Sequence, residues 1–147
     1  MEFVTINENN FREFWNLSVS SNQIGQVADN IKILARAFVY RDYNPVVYGI
    51  SQKNEPIGLL LYRNYHKNED SIKYLEQFMI DKNYQNNGYG TLAIKKLITI
   101  LKNDNIKKLY LHYKDGHNDV LKFYEKLGFQ KTGNTDEDEI ELVLQIN

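Results

Sequence analysis

The segment Gln85-Asn86-Asn87-Gly88-Tyr89-Gly90-Thr91 carries the plainest chemical signal in the chain. It follows a run with strand character and opens a stretch with helical periodicity. A helix N-terminus leaves several backbone N–H groups unpaired, and the helix dipole adds partial positive charge there. Glycines at 88 and 90 let a bulky anion come close to that backbone. The combination suits a pyrophosphate and requires no lysine. Two other phosphate-binding patterns are excluded, because the Rossmann turn needs three glycines at set spacing and the P-loop needs Gly-Lys-Ser/Thr. The same residues also serve a tight strand-to-helix turn with no ligand, and the loop alone does not choose between the two. The histidines offer less. His66 and His112 are far apart and lack metal-ligand spacing. His112 falls in a strand pattern, where the ordinary reading is a satisfied core or surface residue. The chain has no cysteine, which excludes disulfides, thiolate metal sites and a cysteine nucleophile and fits a reducing cytoplasm. No metal site is expected.

The elements that must hold this loop follow from periodicity. Phe3–Ile6 reads as a short strand, and Asn7 caps an expected helix over Glu8–Leu17. After a break at Ser20–Gly25, a second helix is expected over Val27–Phe38, with Ile31, Leu34, Ala35 and Phe38 as its apolar stripe. Val46–Ser51 and Pro56–Tyr65 read as a hairpin joined at Lys53-Asn54. Tyr74–Ile80 is a third long strand pattern, followed by the glycine loop and a helix to about Asn103. On that helix Ala93, Leu97, Ile100 and Leu101 form the stripe. Lys107–Tyr113 is a strand, and Val120–Leu127 a short helix ended by Gly128, where a left-handed cap is cheapest for glycine. Phe129–Thr132 and Ile140–Ile146 close the chain as strands. Ile140, Leu142, Leu144 and Ile146 share one face, which suits either a core or a subunit interface, so a homodimer is permitted. The order predicts an α/β fold with a mixed sheet and helices on both faces.

The chain of 147 residues fits one domain spanning 1–147, large enough to bury a core without staples. Its net charge of −1 gives no basic field for nucleic acid. Met1–Ile6 lacks the regions of a signal peptide, and no apolar run approaches the roughly 20 residues of a membrane span. Neither nucleic acid nor a membrane is therefore expected as a partner, and the expected location is cytoplasmic.

Gln85-x-x-Gly88-x-Gly90 matches the Gln/Arg-x-x-Gly-x-Gly/Ala signature of the GNAT N-acetyltransferase superfamily. The preceding Tyr74-Leu75-Glu76-Gln77-Phe78-Met79-Ile80-Asp81 resembles that family's fourth strand, and Phe123-Tyr124-Glu125-Lys126-Leu127-Gly128-Phe129 resembles its second motif. The order of elements agrees from residue 2 to about 146. Within the superfamily, Leu75-Glu76-x-Phe78 and Tyr43-x-Pro45 look most like spermidine/spermine acetyltransferases. The resemblance implies a mostly antiparallel sheet of about seven strands, four flanking helices, and a splay between the fourth and fifth strands. It implies acetyl-CoA as co-substrate and a small-molecule amine as acceptor. A protein or peptide, an amino acid or an aminoglycoside is the alternative acceptor, and a CoA-binding protein without turnover the alternative class.

Carried over residue by residue, Phe78, Met79 and Ile80 would hold the pantetheine arm by their backbone, as an added strand. Gln85 and Asn86 to Thr91 would wrap the pyrophosphate. Tyr124 stands where the family has the tyrosine that protonates the departing thiolate, a task for which a phenol near pKa 10 is suited. It also belongs to a stripe of Val120, Phe123, Tyr124 and Leu127, which is what a core face looks like. Glu76 is the candidate base or counter-charge for the amine; a salt-bridged or solvent-facing glutamate is the other reading. Gln77 replaces an acid that polyamine enzymes carry, which weakens the case for a highly charged acceptor. His117, followed by Asn118, occupies the place of a cofactor-contacting asparagine and also reads as a solvated loop histidine. Gln23 and Tyr43 are candidate acceptor contacts. Asp136-Glu137-Asp138-Glu139 reads as a solvated turn, with attraction of a cationic acceptor as the other reading.

Overall fold

The computed structural model describes residues 1–19 and 30–146. Seven strands form one sheet: β1 (Glu2–Thr5), β2 (Val46–Gln52), β3 (Glu55–Asn64), β4 (Ile72–Ile80), β5 (Lys108–Lys114), β6 (Gln130–Asp136) and β7 (Glu139–Gln145). Their order across the sheet is β1-β2-β3-β4-β5-β7-β6. Four helices flank it among the described residues: α1 (Phe11–Trp15), α2 (Asn30–Val39), α3 (Tyr89–Asn103) and α4 (Asn118–Lys126). The expected order of elements and the mostly antiparallel sheet are both observed.

Local chemistry sets the joints. Lys53 and Asn54 have φ of 50° and 66°, the left-handed pair that a two-residue hairpin requires. Helix α1 is shorter than its periodicity predicts, because Asn7 to Asn10 are taken up in a turn. The Asn7 side-chain oxygen accepts from the Asn9 N–H, and that of Asn10 from the Asn7 N–H, both at 2.8 Å. Asparagine offers the backbone this alternative to a helix.

The buried face of α2 differs from the expected stripe. Ile31 and Phe38 are 57% and 70% exposed, while Ile33 is fully buried and the buried Asn30 donates to the Phe14 carbonyl at 2.8 Å. A polar residue that caps the end of a neighbouring helix lies on the inner face, and counting apolar residues cannot reveal it. On α3 the buried stripe is Ala93, Ile94, Leu97 and Leu101; Ile94 takes the place expected of Ile100.

The core lies on both sides of the sheet. Ile50, Leu60, Leu75, Leu109 and Leu142 pack with the α3 stripe, while Phe14, Ile33, Leu59, Leu61 and Met79 form the cluster under α1 and α2. Leu142, Leu144 and Ile146 belong to the first cluster, so that stripe serves the core.

Two features of β4 shape the molecule. The pairing with β3 slips between Leu61↔Gln77 and Tyr62↔Leu75, leaving Glu76 as the extra residue of a bulge. Strict alternation would separate Leu75 from Ile80, yet both face the α3 side. On its other edge β4 pairs with β5 in parallel only from Ile72↔Lys108 to Tyr74↔Tyr110. Beyond Tyr74 the two strands part, which is the expected splay.

Candidate active site

The gap between β4 and β5 opens into a cleft of about 1090 Å³. Its walls include β4 from Tyr74 to Ile80, the glycine loop, β5 from Leu111 to Lys114, and Tyr124 of α4. The missing ladder leaves a row of backbone groups of β4 without a strand partner, the condition for strand addition by an extended ligand.

The glycine loop seats α3 at one end of this cleft. Gly88 has φ of 82° and caps the helix; a Cβ built there would meet nothing within 4 Å. Glycine is therefore needed for its backbone conformation, and the space beside it is open. The first helical bond runs from the Leu92 N–H to the Gly88 carbonyl at 3.1 Å, so the preceding N–H groups stand outside the helix ladder. Gln85 donates from Nε2 to the Ile80 carbonyl at 2.8 Å, and Asn87 from Nδ2 to the Gln85 carbonyl at 3.0 Å. These bonds brace the loop against the end of β4.

Helix α4 positions Tyr124 by the way it ends. The Gly128 N–H donates to the Glu125 carbonyl at 3.0 Å, and the Phe129 N–H to the Tyr124 carbonyl at 3.1 Å. This is the paired bonding of a Schellman cap, with Gly128 at φ of 98°. Phe129 is buried and its ring lies edge-on to Tyr124, centroids 5.3 Å apart. The Tyr124-x-x-x-Gly-Phe spacing thus has a mechanical meaning. Burial pushes the Tyr124 phenol above its ordinary value of 10.0, so it keeps its proton.

Opposite lies a charged cluster that spacing in the sequence does not announce. Arg63 Nε is 2.9 Å from Glu76 Oε2, and Arg36 Nη1 is 3.7 Å from Glu76 Oε1. The Arg63 guanidinium also lies over the rings of Tyr40, Tyr43 and Tyr74, at 4.1, 5.3 and 4.8 Å. Glu76 is therefore an ion-paired residue, its carboxylate shared between two arginines. Farther along β5, His112 Nδ1 is 2.8 Å from the Tyr74 hydroxyl and Nε2 is 3.4 Å from Glu141 Oε2. Tyr65 also donates to Glu141. Burial alone would raise the Glu141 pKa; the hydrogen bonds from Tyr65, Thr132 and Asn134, with His112 beside it, outweigh burial and lower it. Tyr74 is raised, first by burial and then by the negative charges of Glu76 and Glu139.

The cleft brings together Tyr124, Glu76, Gln77, Phe78, Met79, Ile80, Gln85, Asn86, Gly88, Gly90 and Thr91. Asn87 and Tyr89 support the loop from outside that lining. His117 is the N-cap position of α4 and Asn118 its first residue, neither on the cleft wall. Tyr43 packs against Arg63 and Tyr40 instead of lining the cleft. Gln23 lies outside the described residues. Asp136 and Glu139 end their strands around the turn at Glu137-Asp138, and Glu139 reaches the cleft. Arg36, Arg63 and Glu141 are not among the site residues that the sequence suggests. Their partners are remote in the chain, and only the pairing of strands and the packing of α2 on the sheet bring them within reach.

A split sheet with an open strand edge, a glycine-opened helix at one end and a buried phenol at the side defines an acyl-transfer fold. The profile of the Acetyltransferase (GNAT) family matches residues 7–129, and the chain belongs to that family and is an N-acetyltransferase. Over 136 residues it is 27% identical to a probable spermine N(1)-acetyltransferase of Bacillus subtilis subsp. natto, strain BEST195, covering 89% of this chain and 88% of the relative. It is 26% identical, over the same shares, to the spermine/spermidine N(1)-acetyltransferase of Bacillus subtilis strain 168. The fold is also that of the PaiA N-acetyltransferase from Thermoplasma acidophilum solved with coenzyme A, with TM-score 0.73, 14% identity and 98% of each chain covered. Members of this family use acetyl-CoA.

Proposed function

We propose that this protein transfers acetyl directly from acetyl-CoA to a primary amine of a polyamine such as spermine or spermidine. The observation that supports direct transfer is a cleft with the Tyr124 phenol on one wall and Glu76, paired to Arg63, on another. A cleft of about 1090 Å³ would bring the two substrates side by side, and direct attack of the amine then needs no covalent enzyme intermediate. The polyamine acceptor rests on the two Bacillus relatives.

The residues present fit the co-substrate. The open face at Gly88 and the free N–H groups of the first turn of α3 suit its pyrophosphate. The backbone of Phe78 and Ile80 would hold the pantetheine arm, and a strand N–H would steady the oxyanion. The bound thioester supplies the activated acyl group. Tyr124 gives its proton to the departing sulfur. Glu76 orients Arg63 and Arg36, one carboxylate oxygen facing each guanidinium.

One observation favours a second acceptor. The negative charge of Glu76 is compensated, and Arg36, with a side chain 39% exposed, lies on the cleft wall. An amine that also carries a carboxylate would be held there by charge.

A free-thiol release assay with acetyl-CoA tests both. The panel is spermidine, spermine, putrescine, a lysine peptide, an aminoglycoside and free amino acids. Selective release with spermidine or spermine is expected. Release only with carboxylate-bearing amines would transfer the assignment to the second acceptor. No release with any amine of the panel would overturn both proposed acceptors.

A further inference from the structure

The proposed reaction needs a group that takes a proton from the arriving ammonium, and Glu76 is committed to arginines. Tyr74 is the last residue of β4 paired to β5, at the apex of the split, and both it and His112 line the cleft. Behind them the polar chain has one direction. Glu141 is 3% exposed and accepts from Tyr65, from Thr132 Oγ1 at 2.9 Å and from Asn134 Nδ2 at 3.2 Å. An ionised carboxylate only accepts, so the His112 Nε2 that faces it at 3.4 Å carries hydrogen. Nδ1 is then an acceptor, and the Tyr74 hydroxyl 2.8 Å away donates to it. That leaves the lone pairs of the Tyr74 oxygen as the acceptor end of the chain, beside the cleft.

We propose that Tyr74 and His112 form the proton-acceptor path for the amine, with Glu141 as the positioning residue that holds the imidazole and stabilises its charge. This rests on the acetyltransfer reading above. An N–H proton of the ammonium passes to the Tyr74 oxygen while the phenol passes its own to His112 Nδ1. The neutral amine attacks the thioester carbon, the C–N bond forms and the C–S bond breaks. Tyr124 protonates the sulfur, and the second N–H proton of the new amide restores Tyr124. His112 then releases its proton to solvent. Ammonium and thioester become amide, thiol and one proton. Tyr74 is a conduit in this path, because burial and the neighbouring carboxylates keep its phenol from ionising. The charged and titratable groups around the path are Glu76 on β4, Tyr110 and Lys114 on β5, Glu139 and Glu141 on β7, Arg63 and Tyr65 at the end of β3, and Arg36 on α2.

The test measures kcat/KM against pH for the wild type, His112→Gln and Tyr74→Phe, with the best acceptor of the amine panel. Both variants are expected to lose about 10²-fold near pH 7, the usual worth of a general base. The loss should shrink as pH rises toward the amine's own pKa, while acetyl-CoA affinity stays unchanged. A loss equal at every pH marks a structural role and overturns the path, as does no loss. In parallel, the NMR signals of the His112 ring are followed against pH in the wild type and in Glu141→Gln, where loss of the carboxylate 3.4 Å from Nε2 should move their midpoint to lower pH. A titration unmoved by Glu141→Gln overturns the relay whatever the activity. Wild-type protein inactive with every amine strikes at acetyl transfer itself, and the titration still decides whether His112 and Glu141 are coupled.

Discussion

Tyr124 and Glu76 stood side by side as candidate catalytic groups in the sequence, and the structure gives them different surroundings. Tyr124 is packed between Phe123 and Phe129 with its pKa raised by burial, which suits a proton donor. Tyr124→Phe should lower kcat by about 10²-fold and leave acetyl-CoA affinity intact, as steady-state kinetics and calorimetry would show. Glu76 sits against Arg63 with both side chains nearly buried, at 11% and 12% exposure. Glu76→Gln leaves those guanidiniums uncompensated and should cost about 1–3 kcal/mol in urea unfolding. It should leave the acidic limb of the rate profile where it was; a shifted limb would restore Glu76 as the base.

Elements carry the two motifs, and in each the glycine has a different job. Gly128 lets the Schellman cap form at φ of 98°, which aims Phe129 at Tyr124. Gly128→Ala should destabilise by about 1–2 kcal/mol, since an L-residue is strained in that conformation. Its Cβ would also come within 3.2 Å of Leu144 Cδ1, so thermal unfolding should show the loss clearly. Gly88→Ala meets no atom within 4 Å but is strained at φ of 82°. Its effect should appear mainly as weaker acetyl-CoA binding, because the strain is relieved by moving the loop that faces the pyrophosphate. Binding unchanged in Gly88→Ala would detach this loop from the co-substrate.

Across the whole molecule, the sheet order places β7 between β5 and β6 and so buries Glu141 among partners from β3's end, β5 and β6. The folded pKa of Glu141 lies below its ordinary value of 4.5, so its contribution is present above that value and is lost as pH falls through the folded one. Unfolding midpoints should therefore fall as pH drops below about 4.5, and the fall should be shallower in Glu141→Gln.

By itself the sequence determined the order of strands and helices, the hairpin at Lys53-Asn54, the glycine loop ahead of α3 and the capped end of α4. Each depends on residues within a few positions of one another, so spacing and turn chemistry carry the information. The start of α1 and the buried face of α2 were misread, because asparagines at 7, 10 and 30 bind backbone groups that periodicity does not count. Only the tertiary structure decided that Glu76 is shared by Arg36 and Arg63, that a bulge turns Leu75 toward α3, and that His112 stands between Tyr74 and Glu141. Those relations join residues 13 to 40 positions apart. They exist because strands pair in a particular register and α2 packs on the sheet, and both are set by the packing of the whole molecule rather than by any local stretch of the chain.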